Sequence, residues 1–415
     1  MPQIEGIRIQ NYRALRDVSL GRLWNSQSRE PLTPLVAVIG KNGSGKSTLF
    51  DVFGFLRDAL LVGVEEACDL KQRGGFHRLK SAGTNGPISF ELYYREAPGA
   101  RPITYELSIG VDSRDRPIVL EERLRQRRKG QKHGRPYSFL QLQKGEGRVW
   151  SGADGLPAQP DELGEIQEDP GSTEVRLTDP RKLGIATLGA LREHSRIALF
   201  RSFLENWYLS YFTPDAARSL PLAGPQRHLN LHGDNLGNVV QFMEREHPGA
   251  FEKIRSRIAQ RIPGVSKIDT KKTDDGRVLL RFNDSAFQDP FLAQQVSDGT
   301  LKVFAYLLLL EDPEPPPFIC IEEPENGLYH KLLDVLAVEF RAHAEKPNHS
   351  SQLFVTTHQP YFVDALKPEE VWIISKQKNG YSTVSNASDD PLILSLVQQE
   401  LPLGGLWYSD YLDKR

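Results

Sequence analysis

The run Gly40-Lys41-Asn42-Gly43-Ser44-Gly45-Lys46-Ser47 has the residue types and spacing that cradle phosphate groups. Glycines let consecutive backbone N–H groups turn inward, Lys46 can reach the outer phosphates, and the Ser47 hydroxyl can hold Mg2+. Gly40, Asn42, Gly43, Gly45, Lys46, Ser47 and Thr48 are therefore the candidate nucleotide contacts. A short pattern matches by chance, so its surroundings decide. Here the apolar run Leu35 to Ile39 precedes the loop, and apolar residues recur at helical spacing from Thr48 to Leu61.

Three later positions supply what hydrolysis of a phosphoanhydride needs. Glu322 and Glu323 end the apolar run Phe318 to Ile321. Glu322 is the candidate metal ligand beside Ser47, and Glu323 the candidate group that orients and polarises the attacking water. Phosphoryl transfer is largely positioning plus charge stabilisation, so a carboxylate fixed at a strand end suits the task. His358 follows a second apolar strand, Leu353 to Thr356, where it can hydrogen-bond the γ-phosphate and the water. Lys46, Glu323 and His358 are the candidate catalytic set. Ser297 and Gly299, in Val296-Ser297-Asp298-Gly299-Thr300, stand before the helical run Leu301 to Leu310 and can present a hydroxyl, N–H groups and a helix N-terminus to an anion. The same tetrapeptide alone also reads as an ordinary turn and helix cap.

The elements that must position these residues are legible in outline. Ile4 to Leu20 predicts two short strands. Residues from about 87 to 150 alternate strand-like runs with turns, an antiparallel meander. The stretch from 151 to 182 is rich in Gly, Pro, Asp and Glu and predicts a long mobile loop. A long helix is expected over Leu183 to Phe212, and two more over Asn235 to His247 and Ala250 to Arg261. The expected organisation is an N-terminal ATPase lobe over 1–95, the meander over 96–150, a loop and helical insertion over 151–232, and a C-terminal lobe over 233–415.

Composition narrows the setting. A chain of 415 residues with 39% hydrophobic and 26% charged residues is ordinary for a globular protein. The formal charge of −2 excludes a global basic field, so any nucleic-acid surface must be local. Two cysteines, Cys68 and Cys320, cannot build a disulfide framework and fit a reducing cytoplasm. The first residues lack a charged-then-apolar leader, and no run is apolar enough to span a bilayer. A cytoplasmic protein with no membrane partner is expected.

With the four motifs in this order, the chain resembles the ABC-type ATPases, in the RecF-like and SMC-like branch. Ile9-Gln10-Asn11-Tyr12-Arg13-Ala14-Leu15 is similar to that branch's opening strand, and Ser297 to Leu301 to its signature variant. Glu322 to Leu328 resembles its acidic strand with the following D-loop, Thr356 to Pro360 its switch histidine, and Gly233-Asp234-Asn235-Leu236 a turn before a helix. The usual first carboxylate is Asp, so Glu322 departs from the pattern, as does Lys331 where relatives carry Pro. The resemblance covers roughly 1–95 and 215–380. It implies an α/β fold: an ABC-type P-loop ATPase with a two-lobed mixed sheet, an antiparallel β subdomain and a helical insertion. It also implies ATP and Mg2+ as cofactors, and a homodimer that sandwiches ATP, each phosphate loop facing Ser297 and Gly299 of the other subunit.

Stand-alone ATPases of this layout resemble subunits of the Septu, PARIS and OLD-type bacterial defence systems. That likeness implies a switch controlling a separate, nuclease-like effector in anti-phage defence or DNA repair. The short stretch after His358 is expected to hold no fused nuclease. Two other readings are a nucleotide-bound scaffold with little turnover and, against the altered signature and long insertion, a transporter ATPase subunit. Arg123, Arg125, Arg127, Arg128 and Lys129 open the strongest basic cluster, which reads either as a DNA-backbone contact or as a solvated hairpin end. Tyr12 and Trp24 read as adenine-stacking or packing residues, and Leu406-Trp407-Tyr408 as a docking patch or core.

Overall fold

The computed structural model describes residues 1–412 apart from 27–28, 129, 132–135, 151–171, 263 and 348–349. The chain divides into two compact units, each drawn from separate stretches. Met1–Thr33, Ile39–Trp207 and Trp372–Asp389 form the first; Pro34–Val38, Tyr208–Val371 and Asp390–Arg415 form the second.

The first unit is built on an eight-stranded antiparallel sheet. Its strands are β1 (Gln3–Tyr12), β2 (Leu15–Gly21), β4 (Ile88–Arg95), β5 (Ile103–Val111), β6 (Pro117–Gln126), β7 (Tyr137–Gln143), β8 (Glu146–Trp150) and β9 (Ser172–Arg176), in the order β2-β1-β4-β5-β6-β7-β8-β9. Alternation sets the inner face: Ile88, Phe90, Leu92 and Tyr94 on β4 are buried, as are Ile103, Tyr105, Leu107 and Ile109 on β5. Aromatic rings of α5 (Ser195–Glu205) pack on that face, Phe203 4.4 Å from Tyr94 and Phe200 5.0 Å from Tyr105 between ring centroids. Phe53 of α1 (Lys46–Val62) meets Trp207 at 5.7 Å. Each such buried ring contributes roughly 1.5–3 kcal/mol. The short helices α2 (Val64–Asp69), α3 (Phe76–Leu79) and α4 (Gly184–Leu188) and the antiparallel hairpin β16 (Val371–Lys376)–β17 (Ser382–Asn386) complete the unit, Val371 alone falling outside it.

The second unit holds the buried strands β10 (Tyr208–Ser210), β14 (Phe318–Glu322), β15 (Gln352–Thr357) and β3 (Leu35–Ile39, through Val38), in the order β10-β14-β15-β3. β10, β14 and β15 run parallel. A core of Leu236, Val240, Ile254, Ile258, Phe282, Leu301, Phe304 and Leu308 joins α7 (Leu236–Glu246), α8 (Pro248–Arg261) and α9 (Asp298–Leu310) to the small sheet β11 (Val265–Lys272), β12 (Val278–Asp284) and β13 (Phe291–Leu292). The remaining helices are α6 (Pro214–Ala217), α10 (Lys331–Ala344), α11 (Pro360–Asp364), α12 (Pro391–Gln398) and α13 (Leu403–Tyr408).

Two local expectations fail for physical reasons. The continuous helix over 183–212 is instead α4, α5 and then the strand β10. Glu122 accepts hydrogen bonds from the backbone N–H groups of Gly184 and Ile185, so the chain opens a short helix there. Tyr208, Leu209 and Ser210 are all buried beside β14, and periodicity cannot separate a strand buried on both faces from a helix. In the stretch expected as a loop, Ser172–Arg176 pairs with β8 and extends the meander.

Glu122 carries a pH dependence. It is wholly buried, and burial pushes its carboxyl from the ordinary 4.5 up to about 7, against the hydrogen bonds from Ile185, Gly184 and Tyr105. Below the unfolded value both states are protonated. Between that value and 7 only the unfolded chain loses the proton, so stability falls as pH rises, by about 3 kcal/mol in all. Glu122→Gln is expected to gain on the wild type in thermal melts between about pH 5 and about pH 8. Parallel melting curves across that range would refute the assignment.

Candidate functional site

β3 delivers the chain directly into the phosphate loop. Gly45 caps α1 in the left-handed region at φ 113°, where a side chain is strained, and a Cβ there would lie 2.7 Å from Ser382 Oγ. That hydroxyl donates to the Ser44 carbonyl at 2.6 Å, so β17 buttresses the loop from behind. Lys46 is buried, its ammonium donating to the Gly40 carbonyl at 2.8 Å and the Lys41 carbonyl at 3.4 Å. Lys41, Asn42, Gly43 and Ser47 are exposed, and nothing lies within 4 Å of where a Gly43 Cβ would stand. A loop with an open face, a buried ammonium and a helix N-terminus behind it fits a polyphosphate.

In the second unit, Glu322 closes β14 opposite Thr356 of β15, and His358 directly follows β15. Glu323 turns sharply, at φ 45°, a conformation that costs a non-glycine residue about 1 kcal/mol or more. Its N–H donates to the Thr356 carbonyl at 2.9 Å, which holds the turn. Asn326 Nδ2 donates to Glu323 Oε2 at 2.9 Å. His358 Nδ1 lies 3.3 Å from Glu323 Oε1 and 3.3 Å from Glu325 Oε1. Ser47, on the exposed side of the phosphate loop, and Glu322, at the end of β14, each carry an oxygen donor of the kind a hard cation such as Mg2+ takes. Among the described residues no larger His, Cys, Asp and Glu group could hold a metal ion.

Glu325 was not among the residues singled out from the sequence. It is 3% exposed and accepts hydrogen bonds from Thr357 Oγ1 at 2.8 Å and the His358 N–H at 2.9 Å. Burial raises its carboxyl above the ordinary range, opposed by these bonds and by His358. Lys302, 8% exposed, donates to the Asn326 carbonyl at 2.6 Å; burial lowers its ammonium while Glu325 works against that shift. The available signal was a single cation inside the otherwise apolar Leu301 to Leu310, since a buried lysine needs a partner.

Ser297 caps α9, its Oγ accepting from the Thr300 N–H at 3.3 Å. Gly299 is a close approach, because a Cβ would stand 3.0 Å from the Gly327 carbonyl. Arg218, also missed, donates to the Val296 carbonyl at 2.9 Å and pairs with Asp298. It thereby offsets the one negative charge in a turn expected to meet an anion.

Other candidates resolve differently. Tyr12 is a core residue, its hydroxyl donating to Asp51 Oδ2 at 2.7 Å, and Asp51 with Asp58 also receives the buried Arg73. Trp24 packs under Arg125, 4.8 Å from ring centroid to guanidinium carbon. Arg125 is 4% exposed and paired with Glu106, and Arg123 pairs with Glu121 at 2.5 Å. Arg128 stacks over Tyr137 at 5.4 Å. Lys129 and residues 132–135 lie outside the described residues. Leu406 and Trp407 are buried and only Tyr408 projects, 83% exposed.

Among solved structures the chain is similar to an SMC head bound to the C-terminal winged-helix domain of ScpA, at 15% identity and a TM-score of 0.52, covering 92% of this chain and 96% of that one. It is also similar to an SMC head with an extended coiled coil bound to the C-terminal domain of ScpA, from Pyrococcus furiosus, at 13% identity and a TM-score of 0.50, covering 96% and 100%. These likenesses show a fold of the SMC head kind. No curated protein matches the sequence. The family model described as "AAA domain, putative AbiEii toxin, Type IV TA system" matches residues 35–364, most of the chain. The protein belongs to that family of ATPase domains.

Proposed function

We propose that this protein is an ATP-binding and hydrolysing switch that dimerises around ATP and controls a separate effector, a nuclease, in anti-phage defence or DNA repair. The observation that carries the hydrolytic part is Glu323, fixed at the end of β14 by a strained turn, held by Asn326 and set beside His358. In this reading the loop from Gly40 to Thr48, with Asn42, Gly43, Gly45 and Lys46, binds the phosphates. Ser47 and Glu322 hold Mg2+, which when bound screens the charge of the phosphates. Glu323 orients the attacking water and accepts its proton, and His358 contacts the γ-phosphate. Ser297 and Gly299 face the ATP of a second copy.

The effector part rests on the family description, which names a toxin of a toxin–antitoxin system, and on the likeness to SMC heads whose structures were solved bound to ScpA. Both support a partner on another chain. The guanidinium groups of Arg123 and Arg125 are engaged by carboxylates of the same sheet, which favours a hairpin-end role over a DNA contact at these two residues. No helix among the described residues is long and apolar enough to cross a membrane.

Purified protein is expected to release phosphate from ATP only with Mg2+, and Lys46→Ala to lose nucleotide binding. Glu323→Gln should keep binding but slow release by roughly a hundredfold or more. Light scattering should show Glu323→Gln trapped as an ATP-dependent dimer. Binding without turnover, and a mass indifferent to ATP, would replace this reading with that of a nucleotide-bound scaffold.

The signature turn gives a separate check. Ser297→Arg is expected to bind ATP as the wild type does yet to stay monomeric with ATP and Mg2+ in sedimentation. An ATP-dependent dimer of Ser297→Arg would remove that turn from the interface.

A further inference from the structure

We infer that Lys302 and Asn326 are positioning residues that hold the Glu323 carboxylate and tie it mechanically to the helix carrying the Ser297 turn. The inference rests on the hydrolytic role of Glu323 proposed above.

Two hydrogen bonds form a continuous line within the second unit. Lys302 Nζ donates to the Asn326 carbonyl at 2.6 Å. The Asn326 side chain, through Nδ2, donates to Glu323 Oε2 at 2.9 Å. Lys302 lies in the second turn of α9, whose first turn is capped by Ser297. The line therefore starts at the signature turn and ends at the water-orienting carboxylate.

Each link is needed by the chemistry of its neighbours. Glu323 has two oxygens; one lies toward His358, and the Asn326 amide fixes the other, so the carboxylate cannot swing. Asn326 is exposed and sits in a tight turn in which its N–H donates to the Glu323 carbonyl at 3.2 Å. Pro324 in that turn is buried and Leu328 just after it packs on the core, but the stretch around Asn326 still has to be held down. Lys302 holds it from below, with a charge that the low-dielectric site makes costly to leave uncompensated; the buried Glu325 supplies the compensation. The turn is closed on its other side by Gly299, whose missing Cβ lets the Gly327 carbonyl approach α9. A displacement of the first turn of α9 is thus passed to the turn over 323–327 rather than absorbed. A ligand that loads Ser297 then changes the orientation of Glu323 without touching it.

Asn326→Ala removes an exposed side chain with little risk to folding. It is expected to lower the turnover number by about tenfold or more while leaving the dissociation constant of a fluorescent ATP analogue within about twofold. Because hydrolysis would then lag behind assembly, Asn326→Ala should also prolong the ATP-dependent dimer in light scattering, a readout independent of turnover. Lys302→Met should act in the same direction and Lys302→Arg should restore much of the rate. The double variant Asn326→Ala, Lys302→Met should be no slower than the slower single variant, as members of one line are not additive. If Glu323→Gln is inactive while Asn326→Ala turns over and dissociates like the wild type, or if the two single losses multiply, the line is overturned and the hydrolytic reading stands. A wild type that hydrolyses no ATP, or a Glu323→Gln variant as active as the wild type, overturns both together. Should Lys302→Met fail to fold, the Asn326→Ala result alone decides.

Discussion

A strand buried on both faces has no place along its length for a charge. β3, β14 and β15 are such strands, and the Glu322–Glu323 pair and His358 are displaced to the ends of β14 and β15 or to the turns just beyond. Glu322 occupies the last position of β14, Glu323 leaves the sheet by a left-handed turn, and His358 begins where β15 stops. The apolar interior is therefore what gathers the polar groups. It also sets the cost of assembling them, paid locally as backbone strain at Glu323 and as the burial of Glu325 and Lys302.

That constraint explains how much was legible beforehand. The phosphate loop, the carboxylate pair and the histidine follow apolar runs in the linear chain, so strand ends could be read as such. The meander was legible because the side-chain types of β4 and β5 largely alternate between apolar and polar along the strand. Leu183 to Phe212 was misread because full burial erases periodicity, and because the break at Gly184 depends on Glu122, far away in sequence. Arg218, Lys302 and Glu325 were missed for a related reason: each acts through a contact to a residue in another element. Nothing in their immediate neighbours announces that contact, although a solitary lysine in an apolar helix is a hint. The basic cluster was open to two readings in the sequence because the acidic partners of Arg123 and Arg125, Glu121 and Glu106, lie along or across the sheet.

The signature turn shows the same economy of charge. Asp298 sits where a phosphate-facing turn would least tolerate an anion, and Arg218 answers it by ion pair while also fixing the Val296 carbonyl. An Arg in that role shapes the turn as well as its potential, because the planar guanidinium fixes two acceptors at once.

The buttress behind the phosphate loop has a consequence for how the protein is made. Ser44 and Ser382, joined by a hydrogen bond, are 338 residues apart. At ribosomal rates of about 5–20 residues per second, the loop emerges roughly 20 to 70 s before the hairpin that backs it. Through that interval the nascent chain carries a complete phosphate-binding motif without the scaffold that shapes it. The loop therefore reaches its buttressed form only once the hairpin carrying Ser382 has been made.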